Sequence, residues 1–145
     1  MRMSADPIRR LLKCDRGMAA LEFVFLAPAL LALVFGIFVY SIYFSALIGV
    51  RHAAAEGARA AVAGLSTQER VSIAETRAKE VIDGYGKILG GGSSPVITAA
   101  SDGTGVFKVK VSYDMAASPI MKYGNFIPLP SSNLEASVIV TNGGY

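Results

Sequence analysis

A single carboxylate stands where carboxylates are costly. Glu22 lies five residues after Gly17, at the mouth of a 28-residue run from Phe23 to Val50 that contains no Asp, Glu, Lys or Arg. At the centre of a bilayer an acidic side chain costs roughly 2.5–3.5 kcal/mol, and less near the edges. Glu22 is therefore a functional candidate by default. The plainer reading leaves Glu22 hydrated at the water boundary, at little cost. Other reactive groups lack companions. His52 is the only histidine and has no second His or Cys for a metal site. As a general base it would need a positioned partner, and Glu56, four residues on, has ordinary helix-surface spacing. Gly90-Gly91-Gly92 lacks the Lys-Ser/Thr of a phosphate loop and follows a helical pattern, so it reads as a helix stop. Lys108 and Lys110 read as the wet face of a strand. Cys14 is the only cysteine, which excludes an internal disulfide. Leu-Leu-Lys-Cys has no apolar run before it, so Cys14 reads as a spare thiol and not as a lipidation site. No catalytic group, metal or cofactor is expected.

The element that must position Glu22 is long. The charge-free run reaches roughly 42 Å as a helix, whereas a bilayer core needs about 20 residues. The pattern predicts one helix from Met18 to about Gly64, bent at Pro28, where a backbone donor is missing. Gly36 and Gly49 permit close approach of a neighbour. From Arg51 the Ala-rich composition predicts that the helix continues past the membrane into water, with Glu56 and Arg59 able to pair. Ser66 and Glu69 match a capping box. Val71, Ala74, Ala78, Val81, Ile82, Tyr85 and Leu89 then keep helical period, which predicts a second helix over 67–89. Strands follow. Residues 95–100 form a short β run, 101–105 a turn, and Phe107, Val109, Val111 and Tyr113 alternate with polar residues. Residues 115–133, with three of the six prolines, read as a surface loop. Leu134, Ala136, Val138 and Val140 alternate in a third strand. The expected class is α+β: a long N-terminal transmembrane helix extending into a small head with a second helix and a short antiparallel sheet. The divisions are a basic leader at 1–17, the helix at 18–64 and the head at 65–145.

Composition narrows the function classes. Hydrophobic residues make up 52% of the 145 and charged residues 17%, against a usual charged share of ~25%. Disorder is excluded. Arg2, Arg9, Arg10, Lys13 and Arg16 against Asp6 and Asp15 account for the whole net charge of +3. The remainder is neutral, which argues against nucleic acid as a partner. By the positive-inside rule the basic leader lies in the cytoplasm and the head outside it.

The segment Arg-Gly-Met-Ala-Ala-Leu-Glu-Phe-Val-Phe-Leu-Ala-Pro-Ala-Leu-Leu resembles the opening of TadE-like proteins of the Tad (tight adherence, Flp-type) pilus system. Its Gly17 and Glu22 match a type IV prepilin processing site, and Phe23 fits the Glu-Phe/Tyr form of the Tad branch. Arg51–Ala63 is similar to the family's second landmark. The specific resemblance covers roughly residues 15–63. It implies a membrane aspartyl prepilin peptidase that cuts between Gly17 and Met18 and commonly methylates the new N-terminus. The absence of a Cβ at Gly17 fits close backbone approach there. The resemblance further implies that the new Met18 ammonium pairs with Glu22 of a neighbouring subunit and so favours correct axial register. Implied partners are the peptidase, other pilin or pseudopilin subunits, the Tad inner-membrane assembly machinery and membrane lipid, with no small-molecule substrate. Tad major pilins are little more than the helix, so a chain with this head reads as a minor pilin or pseudopilin, single-pass in a bacterial inner membrane, with its head periplasmic.

Two other classes compete. An uncut single-span anchor would use its periplasmic head as a protein-interaction module and would retain residues 1–17. A secreted protein would need an apolar region of only about 7–15 residues ending at a small-residue site, and the run here is about twice that.

Overall fold

The computed structural model describes residues 15–86, 93–103 and 105–141, with residues 15–17 described by their backbone alone. The chain is α+β and divides into two compact units, residues 1–38 and 39–145. Helix α1 spans Asp15–Ala61, with Pro28 inside it. Its last turn tightens through i→i−3 bonds from the N–H groups of Val62, Ala63 and Gly64 (3.2–3.3 Å). The chain then turns at Gly64. A Cβ there would lie 2.6 Å from Arg70 Cγ, and Arg70 Nε donates to the Gly64 carbonyl at 2.8 Å.

Helix α2 spans Thr67–Gly84 and is capped as its sequence predicts, with one shift. Glu69 N–H donates to Ser66 Oγ at 3.2 Å. The return bond runs from Leu65 N–H to Glu69 Oε2 at 2.9 Å, one residue before the cap itself. The helix closes at Gly84; the predicted end near Leu89 and the glycines at 90–92 lie outside the described residues.

Strands β1 (Val96–Ser101), β2 (Val106–Asp114) and β3 (Asn133–Thr141) form an antiparallel sheet in the order β1-β2-β3. Gly103 and Gly105 take φ of +100° and +76° in the β1–β2 turn, a conformation other residues seldom adopt. Phe107, Val109, Val111 and Tyr113 bury one face of β2, opposite Val140, Val138, Ala136 and Leu134. Lys108 and Lys110 take the other face, where Lys110 Nζ meets Glu135 Oε1 at 2.9 Å. The β2–β3 connection is less superficial than its prolines predict. It forms a short 3₁₀ helix at Pro119–Tyr123 and buries Met115, Ser118 and Ile120.

The core of the C-terminal unit is built on one stripe of α1. Val39, Tyr43, Ala46, Val50, Ala53, Ala54, Ala58 and Ala61 are buried. From Val39 to Ala53 their spacing alternates four and three, and Ala54, Ala58 and Ala61 continue the stripe, which keeps them on one helix face. They pack with Ala74, Ala78 and Ile82 of α2 and with Phe107, Val109, Val111 and Tyr113 of the sheet. Small residues let the helices close in: a Cβ on Gly57 would lie 2.8 Å from the Ala74 carbonyl oxygen.

Candidate functional site

The first turns of α1 carry the residues singled out above. Gly17, Met18, Glu22 and Phe23 are all helical. Met18 and Glu22 stand four apart and so share a face one turn apart, with Phe23 about 100° around the axis. All three side chains are exposed. Among the described residues Glu22 has no ion-pair partner. Pro28 lies further along, also exposed, and does not share the face of Glu22.

From Met18 to Phe38 every residue is exposed except Ala27 and Gly36, which are half-buried. The exposed set includes Phe23, Val24, Phe25, Leu26, Leu30, Leu31, Leu33 and Val34, which cover all sides of the helix. A helix apolar all round is not stable in water and needs lipid or other apolar helices around it. Helix α1 is long and apolar enough to cross a membrane, and its most apolar stretch is almost unburied. From Val39 onward the same charge-free run serves a second purpose. Val39, Tyr43, Ala46 and Val50 face the core of the C-terminal unit. The expectation that all of Phe23–Val50 meets lipid or other subunits is thus corrected: that face of residues 39–50 is covered by the chain's own sheet and loop. Within this part Ser45 Oγ donates locally, to the Ser41 carbonyl at 2.8 Å.

The remaining polar candidates have structural surroundings. His52 is exposed, with Nδ1 3.3 Å from Tyr85 Oη and the two rings edge-on at 6.2 Å. Glu56 pairs with Arg59 at 3.3 Å and reaches Arg77 of α2 at 3.8 Å, so the expected pair forms part of a helix-to-helix bridge. Among the described residues no group of three His, Cys, Asp or Glu side chains converges as metal ligands would.

Residues 17–59 match the family model of TadE-like proteins. No curated protein and no solved structure matches the chain. The TadE-like segment opens on Gly17 itself and ends at Arg59, so it is α1 almost entire, with Met18, Glu22, Phe23 and Pro28 inside it. It also contains most of the buried stripe. Sequence reasoning treated the Ala-rich end of this segment as a helix in water. The signal that could have shown otherwise is the four–three spacing of Val39, Tyr43, Ala46, Val50 and Ala53, which runs unbroken from the charge-free run into the alanines.

Proposed function

We propose that this protein is a membrane-anchored pseudopilin or minor pilin of a Tad (Flp-type) pilus, non-enzymatic, and matured by a prepilin peptidase that cuts between Gly17 and Met18. The observation that carries this reading is the TadE-like match beginning on Gly17, with Met18 and Glu22 exposed one turn apart on the helix that follows. Length supports it. Residues 18–38 rise about 31 Å as a helix, close to the roughly 30 Å of a bilayer core. Glu22 then sits about 6 Å along the axis from Met18, near the cytoplasmic edge, where its charge is cheap while the subunit waits in the membrane. In the assembled helical bundle that edge is lost. Glu22 then needs a cation, and the Met18 ammonium of a neighbouring subunit supplies one. An unpaired buried charge is strongly unfavourable, so subunits that dock one turn out of place are rejected. Phe23 and the residues up to Phe38 exchange lipid for neighbouring helices, and Pro28 bends the helix to fit them. The partners are the peptidase, other pilus subunits and the assembly machinery of an inner membrane, with the C-terminal unit in the periplasm.

The test is N-terminal sequencing of protein recovered from cells with and without the co-resident peptidase. A start at Met18 that depends on the peptidase is expected. Gly17→Leu should abolish cutting, and Glu22→Ala should be cut normally yet fail to enter pili. Protein that still begins at Met1 in the presence of the peptidase would support the uncut anchor instead. Normal pili from the Glu22→Ala strain would remove the register argument.

A further inference from the structure

The connection between β2 and β3 is built like a membrane-surface foot. Between Asp114 and Glu135 the only charged residue is Lys122. Ile120 is buried, and Met121, Ile127 and Leu129 pack against the core. The opposite side of the segment presents Phe126, which is 86% exposed. Three backbone N–H groups around it are paired within the segment. Gly124 N–H donates to the Met121 carbonyl at 3.2 Å, and the N–H groups of Phe126 and Ile127 donate to the Tyr123 carbonyl at 2.9 and 3.0 Å. Each such pairing lowers the cost of approaching a low-dielectric interface, and the headgroup layer can still hydrate the remaining donors.

Two tyrosines of α1 hold this segment. Tyr40 Oη donates to the Pro128 carbonyl, and Tyr43 Oη donates to the Ser131 carbonyl at 3.3 Å. Phe44 lies beside both, its ring 6.0 Å from that of Tyr40 and 5.9 Å from that of Tyr43. Tyr40 follows Phe38, the last residue of the fully exposed apolar stretch, by two positions in the chain. Aromatic side chains concentrate where a membrane-spanning helix passes into water, because their rings suit the headgroup layer.

We infer that the 119–131 segment rests on the lipid surface at the point where α1 leaves the bilayer, with Phe126 seated among the headgroups and Lys122 drawn to anionic lipid. The occupant of this face is lipid and not a second protein. The segment is hydrogen-bonded to Tyr40, two residues past the end of the span, carries a single positive charge and has no carboxylate. The inference rests on residues 18–38 being a membrane span, but not on cutting at Gly17 or on pilus assembly.

The chain has no tryptophan, so three single-tryptophan variants of the full-length protein can be compared in phosphatidylethanolamine–phosphatidylglycerol vesicles. Phe126→Trp reports the segment. Phe25→Trp, at a position 78% exposed, reports the span. Leu65→Trp, at a position 94% exposed, reports the far end of the C-terminal unit, because α1 rises about 32 Å from Tyr40 to Ala61. Lipids brominated near the headgroup should quench the Phe126→Trp indole roughly threefold or more above the Leu65→Trp indole. Lipids brominated near the chain ends should quench the Phe25→Trp indole best. A Phe126→Trp indole open to aqueous acrylamide and untouched by brominated lipid would overturn the proposal while leaving the span intact. Loss of lipid quenching at Phe25→Trp would refute the span, and this proposal with it. Shielding of the Phe126→Trp indole from both quenchers, growing with protein density in the vesicle, would assign the face to a second copy and also overturn it.

Discussion

Replacing Gly57 by alanine sets helix propensity against packing, and the structure says which wins. Alanine in a helix interior is favoured over glycine by about 1 kcal/mol. The added Cβ, however, would stand 2.8 Å from the Ala74 carbonyl oxygen, 3.0 Å from Ala78 Cβ and 3.4 Å from Val109 Cγ1. The first two neighbours are a helix backbone and the stub of an alanine, neither of which can swing aside. Relief therefore requires α1 and α2 to separate, and overpacking of this kind costs about 1–3 kcal/mol. Separation also loosens the buried contacts of Ala58, Ala61 and Ala74 on the same stripe. The net expectation is a loss of about 1–2 kcal/mol, or a factor of roughly 5–30 in the population of the open form. Hydrogen exchange followed by mass spectrometry on the full chain in micelles reads this directly in the Phe107–Tyr113 amides, which should exchange faster by that factor. Gly84→Ala is the matched control, since a Cβ there meets nothing within 4 Å; it should leave exchange unchanged or slow it. If Gly57→Ala behaves like Gly84→Ala, the close approach of the two helices described here is wrong.

Ser66→Ala removes the acceptor of the Glu69 N–H and should cost about 1 kcal/mol, seen as faster exchange confined to the first turns of α2. Lys110→Ala breaks a pair whose side chains are both more than two-fifths exposed, so urea stability should change by less than about 0.5 kcal/mol. A larger effect would show that the outer sheet face is covered in the native assembly.

Much of this fold is legible because its signals are local. The alternation in β2, the Ser66–Glu69 cap and the glycines of the β1–β2 turn each settle a few neighbouring residues. The Gly17-to-Glu22 spacing is legible for the same reason: six consecutive residues contain it. The absence of charge from Phe23 to Val50 tells only that this stretch avoids water. It does not say whether lipid or the chain's own sheet replaces the water, and here the answer changes at Val39. The alanines after Arg51 have two explanations, helix propensity and small size, and composition alone favours the first. Their burial against Ala74, Ala78 and Val109 gives size at least equal weight. In the 115–132 segment the prolines correctly mark turns, but Met115 and Ile120 find their partners in α1 and β3, contacts that no local pattern reveals.

The side chains along the buried stripe of α1 also explain why the 119–131 segment lies beside Tyr40. The two helices run antiparallel from the turn at Gly64. They come closest where Gly57 meets Ala74 and Ala78, and a Cβ on Gly49 would already touch the ring of Tyr85, just past the end of α2. On the far side of that point Tyr43 and Val39 still present apolar surface. The 119–131 segment covers it, and the two tyrosine hydroxyls that bond to its carbonyls make the cover specific.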